Sequence, residues 1–260
     1  MNRSNDLKKL TKLQWDNLYL AHYKVFLEHE HKNENFQSLL FKKLNKKTIE
    51  YSKNKTINTL LVKLNKRTAK VVKYYHGHDD YDYEPEMRLM IGGGGETPYK
   101  NITLMTLHQT YGVPYLPATA IKGCLRHYYS LQEQPADLIE KLFGSENIDK
   151  EEGIEKKGCL VFFDTFPSKF SLTFDVMTPH HSVYYASSGT KLPSDSQNKT
   201  PIQILCVTND SKFKIYVACT DNTIWQENKV IIMGSLQRAL EEYGIGAKTA
   251  YGYGLAKNQR

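Results

Sequence analysis

KFKIYVACTDNTIWQENKVIIMGSLQRALEEYGIGAKTAYGYGLA, residues 212–256, holds three readable pieces in a row. Lys212–Cys219 alternates apolar and polar residues and is rich in β-branched and aromatic side chains, which predicts a strand. From Lys229 to Tyr243 the apolar residues Ile232, Leu236, Leu240 and Tyr243 fall on one helical stripe. That helix should stop at Gly244, where a left-handed residue after the last turn is expected. A last strand, Ala250–Ala256, then closes the chain.

Working outward, Pro201–Thr208 (PIQILCVT) and GCLVFFDTF, residues 158–166, also read as strands. Asn209-Asp210 with Ser211 predicts a hairpin between Pro201–Thr208 and Lys212–Cys219. Residues 119–130 and Pro135–Phe143 read as short helices. Before them, MRLMIG and ITLMTLHQ read as strands flanking the loop GGGGETPYKN. The order strand, helix, strand, then strand, helix, strand is that of a ferredoxin-like unit, so the expected class is α+β.

The chain has 260 residues, 40% apolar and 24% charged, with a net charge of +7. That composition is globular and long enough for a substantial core. No apolar stretch approaches the ~20 residues of a membrane-crossing helix. MNRSNDLKKL lacks the apolar run of a signal peptide. Cys124, Cys159, Cys206 and Cys219 are widely spaced, so neither a zinc site nor a disulfide framework is expected. A cytoplasmic, reduced location is the expectation.

Positive charge is concentrated. Between Lys42 and Lys73 stand eleven Lys or Arg and one acid, Glu50, so the rest of the chain is slightly acidic. The sign then reverses in HDDYDYEPE. This break predicts a basic helical extension over residues 1–85 and a second domain over 86–260. Leu13, Leu20, Val25 and Leu27, then Phe36, Leu39, Leu40 and Leu44, predict two or three helices in the extension. The lysine run reads either as a solvated helix face or as a nucleic-acid surface.

Eight of the sixteen glycines lie in two clusters, Gly92–Gly95 and the set Gly244, Gly246, Gly252 and Gly254. In GIGAKTAYGYG, Lys248, Thr249, Tyr251 and Tyr253 add a cation, a hydroxyl and two aromatics, which suits phosphate contact and base stacking. A nucleotide-hydrolysing P-loop is excluded, because Ala247 and Glu242 stand where that motif needs glycine. The alternative is a tight helix-to-strand connection. In YGVPYLPATAIKGCLRHYY, Pro114 and Pro117 hold the approach extended and Thr119 can cap the following helix. Lys122 and Arg126, four apart, would share a face near the helix start and seat a phosphate, or else form a solvated pair.

GVPYLPATAIKGCLR closely resembles the proline-framed motif of the RAMP superfamily of CRISPR proteins. GIGAKTAYGYG is similar to that superfamily's C-terminal Gly-rich loop. DVMTPHHSVYYASS, Pro193-Ser194-Asp195 and Asn198-x-x-Pro201 resemble one branch, the head-end terminal RAMP subunit of the type III-B (Cmr) effector complex. Ala118 and Ala120 depart from the motif's usual Gly and Ser. The resemblance spans about Arg88–Ala256. It implies a ferredoxin-like (RRM-like) RAMP core with inserted loops that binds CRISPR guide RNA near its 3′ end and meets target RNA only indirectly. Implied partners are the repeated backbone RAMP subunit, a second terminal RAMP subunit and, as a further candidate, the small helical subunit, with no membrane. The implied RNA-binding residues are Thr119, Lys122, Arg126, Gly244, Gly246, Lys248, Thr249, Tyr251, Gly252, Gly254, His180 and His181. The last two lie in the loop Thr178–Thr200, the implied counterpart of a projecting thumb or a docking surface.

That branch is regarded as non-catalytic, so no enzyme, cofactor or metal is expected. The alternative is a metal-independent CRISPR RNA-processing endoribonuclease using His108, His127, His180 or His181 as general acid or base. A third possibility is an adaptor without RNA contact. His76, His78, Asp79 and Asp80 read as an exposed loop rather than a metal site.

Overall fold

A computed structural model describes residues 17–22, 45–93, 102–145, 157–178, 190 and 201–258. The fold is α+β, with two antiparallel-rich sheets and helices against them. β8 (Lys212–Cys219) has the bounds its alternation predicts, and Phe213, Ile215, Val217 and Cys219 point into the core. β1 (Gly77–Tyr83) runs antiparallel along all of it, from Gly77 opposite Cys219 to Tyr83 opposite Phe213.

β1 corrects the reading of the acidic cluster as a loop. Tyr81 and Tyr83 face the core, Asp80 and Asp82 alternate outward, Asp79 is half-buried on the core side, and all three aspartates are matched by lysines. Lys214 Nζ lies 2.5 Å from Asp80 and 2.9 Å from Asp82, and Lys229 Nζ lies 3.0 Å from Asp79. Burial alone would lower the Lys214 ammonium, but the two carboxylates outweigh it and raise its pKa. Cross-strand charge pairing lets an Asp-rich segment, depleted in strands by propensity, take this place. Trp225 closes the end of the strand, and only a glycine fits at residue 77, where a Cβ would meet the indole Cγ at 2.5 Å.

Following β1, the ferredoxin order is α2 (Ala118–Leu131), β4 (Leu160–Phe162) with β5 (Pro167–Lys169), β8, and α4 (Asn222–Glu242). β4 and β5 pair with the edge of β8 opposite β1. α2 and α4 pack on each other and on this sheet. Asp221 caps α4, its carboxylate accepting the Ile224 N–H at 3.0 Å, so the helix begins at Asn222, seven residues before the expected start at Lys229. The last strand expected at Ala250–Ala256 is instead a 3-10 turn, Thr249–Tyr251, followed by a bridge between Pro85 and Ala256. Its backbone is engaged by the loop described below rather than by a ladder.

The second sheet is built from insertions into this unit. β7 (Ile202–Thr208) takes β6 (Leu172–Met177) antiparallel, β2 (Arg88–Leu89) antiparallel and β3 (Ile102–Thr103) parallel. The strands expected in MRLMIG and ITLMTLHQ thus shorten to two residues each. β7 and β8 do not form the expected hairpin: they lie in different sheets. The linker is bound sideways, Asp210 accepting from Ser171 Oγ at 3.0 Å and pairing with Lys169 at 3.2 Å. β5–β6 and β7–β8 therefore make one long, bent hairpin, whose outer rung is Met177 opposite Ile202.

At the N-terminal side, residues 18–22 and 45–50 are helical, followed by α1 (Lys55–Val72). Asn54 caps α1, accepting the Thr56 N–H at 2.9 Å. Ile57, Leu61 and Leu64 join Leu18, Tyr51 and β8 in one hydrophobic cluster. Asn17 Nδ2 donates to Gln109 O and Thr110 O, both at 2.9 Å. Packing therefore runs across residue 85. Leu13, Val25, Leu27 and the Phe36–Leu44 stripe lie outside the described residues. α3 (Ala136–Phe143) completes the helices and packs on α2.

Candidate functional site

The proline-framed segment enters α2 through two isolated bridges, Leu107 with Pro114 and Leu116 with Thr165. Leu116 and Thr165 exchange N–H···O bonds of 2.9 Å, which fixes the approach. Pro117 is the cap residue, and Asp164 Oδ1 accepts the Ala118 N–H at 2.8 Å. Thr119 is exposed and does not cap, since the helix already starts one residue earlier. A carboxylate therefore holds the positive end of the helix, where a phosphate was expected. Lys122 and Arg126 are half-buried one turn apart on α2, and Gly123 beside them opens to empty space.

The Gly-rich segment 244–254 is a knot of backbone hydrogen bonds. Gly244 N–H returns to Ala239 O at 3.0 Å, ending α4 with φ of 72°. Ile245 N–H reaches Gly254 O at 3.0 Å, Ala247 N–H reaches Met90 O at 2.8 Å, and Gly254 N–H reaches Arg88 O at 2.7 Å. A side chain at Gly246 would strike Met90 O, and one at Gly254 would strike Ile245 O. Both have positive φ, so shape and strain each require glycine there. The loop's glycines thus serve a tight structural connection, which leads from α4 into the 3-10 turn rather than into a strand.

Of the polar residues in the knot, Tyr251 is exposed, while Lys248 and Thr249 are half-buried. Lys248 is one of two non-glycine residues with positive φ, at 63°, among those described. The surrounding backbone hydrogen bonds of the knot sustain that strained conformation. Tyr251 is 70% exposed, whereas Tyr253 turns inward. The Tyr253 hydroxyl donates to Asp175 Oδ2 at 2.5 Å, and Arg88 pairs with the same oxygen. Burial would raise the Asp175 carboxyl, but Tyr253, the Val176 N–H and Arg88 together hold it below the usual range. Arg88, Asp164 and Asp175 are the residues that sequence reasoning missed. A lone aspartate in the strand LTFDVM was the signal available for Asp175.

Loop and α2 meet, although 120 residues separate them. Cys124 Sγ donates to Gly244 O at 3.4 Å, and His127 and Tyr128 set their rings edge-on to Tyr243 at 6.3 and 5.9 Å. Burial pushes the Cys124 thiol up to about 11, so it stays protonated as a donor. Lys248 Nζ lies 3.1 Å from Met177 Sδ, toward the end of β6, while Lys122 and Arg126 line α2. The two motifs therefore abut, with their cations on adjoining elements. His180 and His181 lie outside the described residues.

A sequence model of the RAMP superfamily matches residues 86–257, more than half of the chain. A Pyrococcus furiosus protein named CRISPR system Cmr subunit Cmr6 is 28% identical, over 83% of this chain and 80% of that one. Its namesake from Saccharolobus solfataricus is 30% identical over 55% of this chain and 44% of the other. A chain of the cryo-EM structure of the type III-B Cmr-beta complex bound to cognate target RNA superposes with a TM-score of 0.62. It covers 97% of this chain and 85% of that one at 18% identity, a likeness of fold.

Proposed function

The chain belongs to the RAMP superfamily, and on that premise we propose that it is a guide-RNA-binding subunit of a type III-B CRISPR effector complex. The observation that carries the reading is the junction of α2 with the Gly-rich knot through Cys124 and Gly244. It sets Lys122 and Arg126 beside a rigid loop that carries half-buried Lys248 and Thr249 and exposed Tyr251. Cations on rigid backbone plus an exposed aromatic suit the phosphates and bases of a single strand. Neighbouring RAMP subunits and a place near the guide's 3′ end belong to the same proposal. So does a cytoplasmic site of action; no helix among the described residues is long and apolar enough to cross a membrane.

The role proposed is binding without cleavage. His108 is stacked on Tyr111 at 4.5 Å and flanked by Tyr115 and Phe166, and its Nδ1 faces the Tyr111 N–H at 3.4 Å. Burial lowers its pKa. Those contacts suit a packed aromatic cluster rather than a proton shuttle. Incubating the pure chain with end-labelled repeat RNA in chelator tests this directly. Intact RNA that is retained on a filter is the expected result, and discrete cleavage products would replace the binder with an endoribonuclease.

A further inference from the structure

We propose that the outward face of α1, with the tyrosine that follows it, is a second RNA-backbone surface, distinct from the Gly-rich loop. This rests on the RNA-binding reading above and assigns it a further contact. From Tyr51 to His78 the sequence contains no acid at all. Ile57, Leu61 and Leu64 turn α1 inward, and Lys63, Lys66, Arg67, Lys70 and Lys73 stand exposed on the other side. At about 100° per residue these five fall within an arc of about 120°. Tyr74, directly after them, is 85% exposed.

The treatment of charge elsewhere sets this face apart. Lys212 and Lys257 pair with Glu84, Lys214 with Asp80 and Asp82, Lys229 with Asp79, Lys169 with Asp210 and Arg88 with Asp175. Among the described residues no ion pair falls on α1. A row of uncompensated cations repels itself and draws a polyanion, releasing that polymer's condensed counterions. Successive cations on one helical face lie roughly 5–6 Å apart, close enough for each to meet a different phosphate along a strand. An exposed tyrosine at the end of the row supplies a stacking plane for an unpaired base. A solvated helix of ordinary composition would interleave acids with these lysines, as β1 and β8 do.

The test is the salt dependence of binding of the full chain to an unstructured, fluorescently labelled RNA. Lys63→Gln, Lys66→Gln, Lys70→Gln and Lys73→Gln are combined in one variant, and a second carries the same four as Arg. The Gln variant is expected to lower the log–log salt slope by about 0.7 for each lost phosphate contact, roughly 3 in all, with the melting temperature unchanged. The Arg variant should keep the slope, and Tyr74→Ala should weaken binding without changing it. An unchanged slope in the Gln variant, while Tyr251→Ala still weakens binding, would overturn this inference and leave the RNA-binding reading in place. No RNA binding by the unmodified chain would overturn both. Displacement of RNA from this face by polyglutamate at matched charge concentration would reassign it to an acidic protein.

Discussion

Asp164 Oδ1 accepts the Ala118 N–H at 2.8 Å, so a carboxylate from the strand side closes the first turn of α2 across 46 residues of sequence. It does the work expected of Thr119, and it sets a negative charge at the helix start that carries Lys122 and Arg126. Loss of an N-terminal cap of this kind costs about 1 kcal/mol. Asp164→Ala is therefore expected to lower unfolding free energy by about that amount, and Asp164→Asn by less, as measured by denaturant titration. Because the carboxylate repels phosphate, Asp164→Asn should also raise RNA affinity in a filter assay. Unchanged RNA affinity in that variant would show that the helix start is not part of the contact.

The Gly-rich knot sets a second expectation. Gly254→Ala forces a Cβ onto Ile245 O at a backbone of positive φ. Left-handed strain and the clash together should cost at least about 2 kcal/mol. Gly123→Ala on α2 meets nothing within 4 Å and should be neutral or stabilising. Thermal unfolding of the two variants side by side measures the difference.

The fold's second half was open to reading because β8 and the α4 stripe follow simple periods. β1 was hidden by its aspartates, whose partners Lys214 and Lys229 lie far along the chain, so local propensity misjudged it. The β7–β8 step looked like a hairpin because Asn209-Asp210 is a turn signal. What sends the two strands to different sheets is the tie of Asp210 to Lys169 and Ser171, invisible in a local window. At the site, the residue types were legible in the two motifs. The carboxylates that organise them, Asp164 and Asp175, were not, because each acts on a segment distant in sequence.

His22 gives a pH prediction. It is fully buried against Thr48 Oγ1 at 3.2 Å, and burial lowers its pKa from 6.5 to about 4. The unfolded chain takes up the proton near pH 6.5 and the folded one does not until about pH 4. Stability thus falls as pH falls through that window, by about 2 kcal/mol between pH 7.5 and 5. Denaturant titrations of the natural chain and of His22→Leu should show the slope in the first and its loss in the second.

Tyr251 is exposed and supports nothing in the core, so Tyr251→Ala should leave the melting temperature unchanged. A stacked base is worth about 1–3 kcal/mol, so single-stranded RNA affinity should drop by roughly tenfold or more. Equal affinity of both proteins in fluorescence anisotropy would remove Tyr251 from the site.

Affinity purification of the tagged chain from cells carrying its neighbouring genes is the decisive experiment on guide-RNA binding. Further RAMP subunits and an RNA of uniform length with repeat-derived sequence are expected to come down with it, and the RNA to be poorly retained when Lys122 and Arg126 are both changed to Ala. Recovery of the same protein assembly without RNA, or of the chain alone, would contradict guide-RNA binding.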